Sequence, residues 1–211
     1  MLGKIAFPLC SALVCALLAP HLSAQPIDSP ASASTAAENP AYAEVLVSDD
    51  SVQLRYMKKG AADLDLEAME TAELGVGLYF NEKRDIVASM NLMAEVSALA
   101  WERLSITVGP AAYATLLSLQ DTDIFSIGLR TELRYRLLGE RGIYIVGRAT
   151  YAPDILTFGT ADRLWDIEGN IELPISKQIR AFAGYRNFEV DLIGPKRELE
   201  DSIHVGIRYK F

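Results

Sequence analysis

Cysteine is scarce in this chain of 211 residues, and both examples, Cys10 and Cys15, fall within the first 24 positions. Removal of that segment would leave no thiol, which excludes the small disulfide-stapled scaffolds. Histidine is nearly as sparse. His21 lies in the same opening segment and His204 stands alone, so a multi-histidine metal centre is excluded. A metal would need carboxylates alone, and Asp121 with Asp123 reads as a solvated loop tip; no cofactor is expected. Beyond the opening segment, no run approaches the roughly 18 consecutive apolar residues of a membrane-spanning helix. Clusters of lysine or arginine are also missing. With a formal net charge of -8, the chain is not expected to bind nucleic acid or anionic lipid through charge alone.

The opening segment has one cation, Lys4, then an apolar run from Ile5 to Leu18, then Ser23 and Ala24 ahead of a polar stretch. This order predicts a signal peptide over residues 1–24 and export through the general secretory route. Loss of Lys4 with it would take the net charge from -8 to -9. Residues 25–41, rich in Pro, Ala and Ser, read as a flexible leader. Residues 42–211 are one domain's worth of chain.

Within that domain the dominant signal is a two-residue period. Phe125, Ile127, Leu129, Leu133 and Tyr135 alternate with Ser126, Gly128, Arg130, Glu132, Arg134 and Arg136. Trp165, Ile167, Ile171 and Leu173 alternate with Asp166, Glu168, Asn170 and Glu172. Similar patterns run over residues 73–80, 86–96, 103–108 and 203–211. Such strands have one apolar and one strongly polar face. About eight are expected between Glu67 and Phe211, and ten if residues 42–57 form a hairpin turning at Ser48–Ser51. Soluble sandwiches use strands of about 5–6 residues. These are nearer the roughly 9–11 of a tilted membrane strand. The expected fold is therefore all-β, a transmembrane antiparallel up-and-down barrel of 8–10 strands.

In that arrangement the apolar face meets lipid and the polar face turns inward. Arg130, Glu132, Arg134, Arg148, Asp166, Glu168, Arg186 and Arg208 are the expected polar lumen, joined by Glu73, Glu95, Arg103, Arg136, Glu172, Arg180, His204 and Lys210. Gly75, Gly77, Gly128, Gly184 and Gly206 share that face, where glycine makes room for long charged neighbours. Tyr79, Trp101, Tyr135, Tyr151, Trp165, Tyr185, Tyr209 and Phe211 fall near strand ends, as interfacial girdles would. Short links at residues 138–142 and 174–178 alternate with longer ones at 152–163 and 192–200.

Three patches resemble the YfaZ family of bacterial outer-membrane proteins: YAPDILTFGTAD (Tyr151–Asp162), GYRNFEVDL (Gly184–Leu192) and the terminal HVGIRYKF. The likeness covers most of the chain from about Ser48 onward. It implies an outer-membrane barrel and transfers no catalytic residues. The closing alternation, with Tyr209 and Phe211, is also similar to the C-terminal signal of such barrels. That likeness implies the barrel-assembly machinery and periplasmic chaperones as partners, with outer-membrane lipid around the mature chain.

Two further features invite functional readings. The segment holding Pro153, Asp154, Phe158, Gly159 and Asp162 is expected as an outer loop, either for interaction or as a cap over the mouth. Ser202 and His204 share a face, the minimum for a lipid-cleaving nucleophile and base, with Glu189 or Asp191 as orienting acid. The sequence favours a non-catalytic barrel with a structural or loop-mediated role. A narrow channel for small solutes is the alternative, and a lipid-modifying enzyme the weakest reading.

Overall fold

Each alternating stretch forms a pleated strand, and the pleat sends every second side chain to the same side of one sheet. The computed structural model describes residues 41–60, 72–96, 103–118, 122–137, 142–193 and 196–211, all within the unit Glu38–Phe211. Residues 1–24, nearly all of the leader, Trp101 and Asp121 lie outside the described residues. The strands are β1 (Ala41–Val47), β2 (Ser51–Lys59), β3 (Glu73–Asn81), β4 (Ile86–Glu95), β5 (Leu104–Leu117), β6 (Thr122–Arg136), β7 (Tyr144–Ala152), β8 (Thr157–Phe158), β9 (Ala161–Pro174), β10 (Ile179–Leu192) and β11 (Lys196–Lys210).

All neighbours are antiparallel, and the sheet order β5-β4-β3-β2-β1-β11-β10-β9-β7-β6 closes through the β5–β6 pairing. The result is a closed ten-stranded up-and-down barrel, with β8 as a short extra segment. Closure leaves no open edge, which is the condition for a sheet to sit in a medium that cannot hydrogen-bond its backbone. The uncertain hairpin is present as β1 and β2, turning over Ser48–Asp50, where the Ser48 hydroxyl accepts the Ser51 N–H at 3.1 Å.

The sign of the alternation is the reverse of a soluble sheet. Met90, Leu129, Ile171 and Val205 point outward and are 53–59% exposed, while Glu44, Glu168 and Arg186 point inward at 1–3%. Lumen crowding explains the inward glycines. A Cβ on Gly184 would collide with the Asn170 side chain and the Gly169 carbonyl, and one on Gly206 would meet the ring of Phe182.

The barrel has two unlike ends. The base carries Ala41, Phe211 and the links 60–72, 96–103, 137–143 and 175–178; the cap carries 48–50, 82–85, 118–121, 153–160 and 193–195. One expectation about the links needs correction here. The stretch 192–200 is no long link, because β10 runs to Leu192 and β11 begins at Lys196. The longest connection, residues 60–72, is at the base, and most of it lies outside the described residues.

The segment expected as an outer loop is also shorter than its sequence implied. Pro153 and the 3-10 turn Asp154–Leu156 lead into β8, whose Phe158 and Thr157 pair with Phe125 and Ser126 of β6. There β8 takes over from β7, which pairs with β6 no further than Leu129↔Tyr151. Asp162 belongs to β9, and only Gly159 and Thr160, with Gly159 at a φ of 107°, remain as the bend between strands.

At the cap the β10–β11 pair reaches over to β3 and the turn that follows it. β10 and β11 stay paired as far as Asp191↔Lys196, whereas β1 ends at Val47↔Val205. The register shifts between Phe188 and Glu189, so that Leu199 is the extra residue of a bulge, and a bulge bends its strand. Leu199 is turned inside, where its carbonyl accepts the Tyr79 hydroxyl of β3 at 2.7 Å. Arg197 then reaches Asp85 in the β3–β4 turn at 2.8 Å, and Asp85 accepts the Ser118 N–H at 3.0 Å. Beneath this folded-over hairpin, Phe188 packs against Tyr79 at 5.9 Å and Tyr113 at 6.1 Å, with Leu117, Ile124, Leu164 and Val190 around them. The inward face is thus polar for only part of its height. Tyr79, expected in an interfacial girdle, faces the interior instead, because its odd-numbered neighbours Gly75 and Gly77 share its side of β3.

Candidate functional site: an ionic lattice across the lumen

Strand register builds the central cluster from two triads. On one wall, Arg148 of β7 sits in register between Glu132 of β6 and Glu168 of β9. On the opposite wall, Glu44 of β1 sits in register between Arg55 of β2 and Arg208 of β11. The first wall reads acid, base, acid, and the second base, acid, base. Within the first triad, Arg148 Nε lies 2.7 Å from Glu132 and its Nη1 2.9 Å from Glu168. Within the second, Glu44 accepts Arg208 Nε at 2.6 Å and stands 3.4 Å from Arg55.

The triads then meet across the barrel. Arg148 Nη2 is 3.2 Å from Glu44, and Arg55 pairs with Glu168. Nearer the base, Glu172 of β9 joins the lattice, 2.8 Å from Arg134 and 2.9 Å from Arg208. The connected set therefore holds four carboxylates (Glu44, Glu132, Glu168, Glu172) and four guanidiniums (Arg55, Arg134, Arg148, Arg208). Arginine suits this geometry because its planar fork can engage two carboxylates at once. Buried charges of this kind persist only when each is partnered.

Toward the cap lies a second, smaller group. Arg186 of β10 holds Asp166 at 2.8 Å and Glu200 at 3.3 Å, and also donates to Gln53 of β2 at 2.7 Å. Arg130 enters through Tyr113, whose hydroxyl lies 3.3 Å from the arginine and 3.2 Å from Asp166. Above this group begins the apolar packing of the cap.

All eight residues expected to line the lumen face it, and the structure links them into these two groups. Arg103 is different: it sits in the turn before β5 and is exposed. Sequence reading missed Glu44, Arg55 and Glu200. The first two belong to the hairpin that the alternation left open, although Glu44 and Leu46 against Val45 and Val47, with Gln53 and Arg55 against Val52, Leu54 and Tyr56, carried the signal. Glu200 was assigned to a link.

Opposite charges close on each other across the lumen, Arg148 on Glu44 and Arg55 on Glu168. A cavity of about 50 Å³ lies at the base side, bounded by Tyr42, Lys59, Glu73, Ser105, Thr107, Glu132 and Arg134. Ser202 and His204 both face inward but serve other partners. The Ser202 hydroxyl lies 3.1 Å from Glu200, and His204 Nε2 is 2.7 Å from the Asn170 side-chain oxygen. Glu189 and Asp191 stand among the outward residues with Arg163 and Lys196, so neither orients His204. Asp123 lies on β6, exposed, and among the described residues no group of three His, Cys, Asp or Glu side chains is arranged to hold a metal.

No family model matches the chain. No curated protein matches it either. Among solved structures it is similar to a bacterial polysaccharide outer membrane secretin, at 12% identity and a TM-score of 0.45 over 82% of this chain and 69% of that one.

Proposed function

We propose that this chain is a bacterial outer-membrane barrel whose lumen is closed, and that it works without catalysis, as a structural element or through contacts made at its cap. The observation that carries this reading is the inverted barrel, with exposed apolar side chains outside and a charge-neutral lattice bridging the inside. In water, an exterior with Leu129 59%, Val205 59% and Ile203 74% exposed would be a continuous apolar surface, far beyond what a soluble monomer leaves open. In a bilayer it is the solvated face.

The same reading supplies the route and the partners. Residues 1–24 direct export, periplasmic chaperones hold the unfolded chain, and the assembly machinery inserts it through the strand ending in Tyr209 and Phe211. Membership of the YfaZ family is part of this proposal, supported by the motifs at Tyr151–Asp162 and Gly184–Leu192. At the cap, Ile155 and Ile193, at 78% and 71% exposure, offer apolar contacts beside Asp154 and Asp162.

Two measurements test the reading. The purified chain should require detergent and run as a compact, heat-modifiable band, and planar bilayers containing it should stay electrically silent. Folding without detergent overturns the membrane assignment, whereas stable unitary conductance overturns the closed lumen.

A further inference from the structure

We propose that the cap rim formed by the turn before β8, the start of β9 and the residue following β10 docks a cationic peptide segment that also carries aliphatic side chains. The inference deepens the reading of contacts made at the cap, and rests on it, by naming the chemistry of the partner.

The apolar exterior stops short of this rim. Toward the cap, outward Phe125 of β6 gives way to Asp123, Trp165 of β9 to Arg163, and Tyr185 of β10 to Asn187 and Glu189. Such a change from aromatic to charged side chains marks the edge of a lipid-facing band. Two isoleucines stand beyond it. Ile155 lies in the 3-10 turn Asp154–Leu156 and is 78% exposed, and Ile193 follows the last residue of β10 and is 71% exposed. The Ile193 N–H donates to the Thr160 carbonyl at 2.9 Å, which ties the end of β10 to the bend leading into β9. Past the band neither lipid chains nor the barrel interior covers these side chains, and a partner from the aqueous side is what removes them from water.

The charge around the isoleucines selects that partner. Asp123, Asp154 and Asp162 are exposed and form no salt bridge among the described residues. Asp123 borders the bend, its carbonyl 2.6 Å from where a Cβ on Gly159 would stand. The cations on this side of the rim are already engaged, Arg163 with Asp191, and Lys196 with Glu189 at 3.7 Å and Asp191 at 3.8 Å. Lys83 and Arg84 belong to the turn after β3, with β5, β6 and β7 standing between β4 and β9. An apolar centre with an acidic rim is complementary to a basic segment: aliphatic side chains bury against the isoleucines while lysines or arginines pair with the aspartates. Anionic partners meet repulsion at the same rim.

The test places the full chain in nanodiscs of zwitterionic phospholipid and adds a fluorescein-labelled peptide of lysines interrupted by leucines, read by anisotropy with empty nanodiscs subtracted. Saturable binding is expected. It should weaken about fivefold in Asp154→Asn/Asp162→Asn, with a shallower salt dependence, since rim charges act through screened attraction. Ile155→Ser/Ile193→Ser should weaken it about tenfold with the salt dependence of the wild type, because only apolar burial is lost. Asp49→Asn, at an exposed cap carboxylate after β1, should bind as the wild type does. The variants alter exposed side chains, and asparagine can still accept the Ile155 N–H that Asp154 accepts at 2.7 Å, so an unchanged heat-modifiable band is expected of each. No saturable binding to the wild type, equal affinity in either double variant, or a loss in Asp49→Asn as large as in the aspartate pair overturns the proposal. Calcium is titrated alone as well: calcium binding that the aspartate pair abolishes, without peptide binding, makes the rim a cation site and likewise overturns docking. A wild type that stays heat-modifiable and silent in bilayers yet binds no peptide sinks this inference alone, whereas loss of those two properties removes the barrel reading beneath it.

Discussion

The N–H of Phe211 donates to the carbonyl of Ala41 at 2.9 Å, joining the last residue of the chain to the first residue of β1. The bond extends the β1–β11 ladder, which runs from Tyr42↔Lys210 to Val47↔Val205 and joins the first strand of the barrel to the last. Tyr209 and Phe211 point outward together at the base, their rings edge to face at 5.1 Å. The final aromatic residue thus serves both the ladder and the outer belt.

Deletion of Phe211 should lower the amount of folded barrel in the outer membrane while leaving signal-peptide removal intact. Cell fractionation with heat-modifiability as the readout checks this. Normal outer-membrane abundance of the truncated chain would contradict it.

Glu44 is shared by three arginines of the lattice, Arg55, Arg148 and Arg208. Its replacement by Ala should destabilise the barrel by about 3–5 kcal/mol, because three buried guanidiniums lose a common partner. Glu189→Ala on the outer rim, whose partner Lys196 is exposed, should cost less than about 1 kcal/mol. Urea midpoints measured in detergent compare the two.

Gly184→Ala should be destabilising despite its small size, by about 1–3 kcal/mol, since the added carbon collides with Asn170 and the Gly169 carbonyl. Gly169→Ala is the control, because its Cβ would meet nothing within 4 Å. A cost for Gly169→Ala equal to that of Gly184→Ala would refute the crowded-lumen explanation.

Arg197→Ala should loosen the cap without opening the lattice. Faster amide exchange is expected at Leu199 and its neighbours, with that of the Arg148 and Glu44 amides unchanged. Protection at Leu199 equal to wild type would show that the bulge and the Phe188 packing hold the hairpin unaided.

His204→Ala should leave lipid composition in the producing cells unaltered, as Ser202 and His204 are engaged with Glu200 and Asn170 rather than with each other. Mass spectrometry of extracted lipid A would detect a change, and a reproducible one would revive a lipid-modifying role.

Much of the wall was legible in the sequence because a strand's period is fixed by its backbone. Once Phe125, Ile127 and Leu129 are outside, Arg130, Glu132 and Arg134 must be inside, and they are. The same logic reached Asp166, Glu168 and Arg148. It failed where the pattern is interrupted or mixed. Leu199 is a bulge residue, so the alternation through Glu198 and Glu200 slips by one. Tyr79 carries a polar tip on a large ring, and its interior position follows from parity more securely than from polarity.

Sequence alone thus determined which face each strand shows, that the apolar face lies outside, and that the strands are long enough for a barrel. Tertiary structure decided which charges meet across the lumen. Pairing between Arg148 and Glu44, or between Arg55 and Glu168, joins walls separated by several strands, and nothing local encodes it. Alternation is a property of neighbouring residues, whereas the meeting of opposite charges across a cylinder depends on strand number, stagger and closure together.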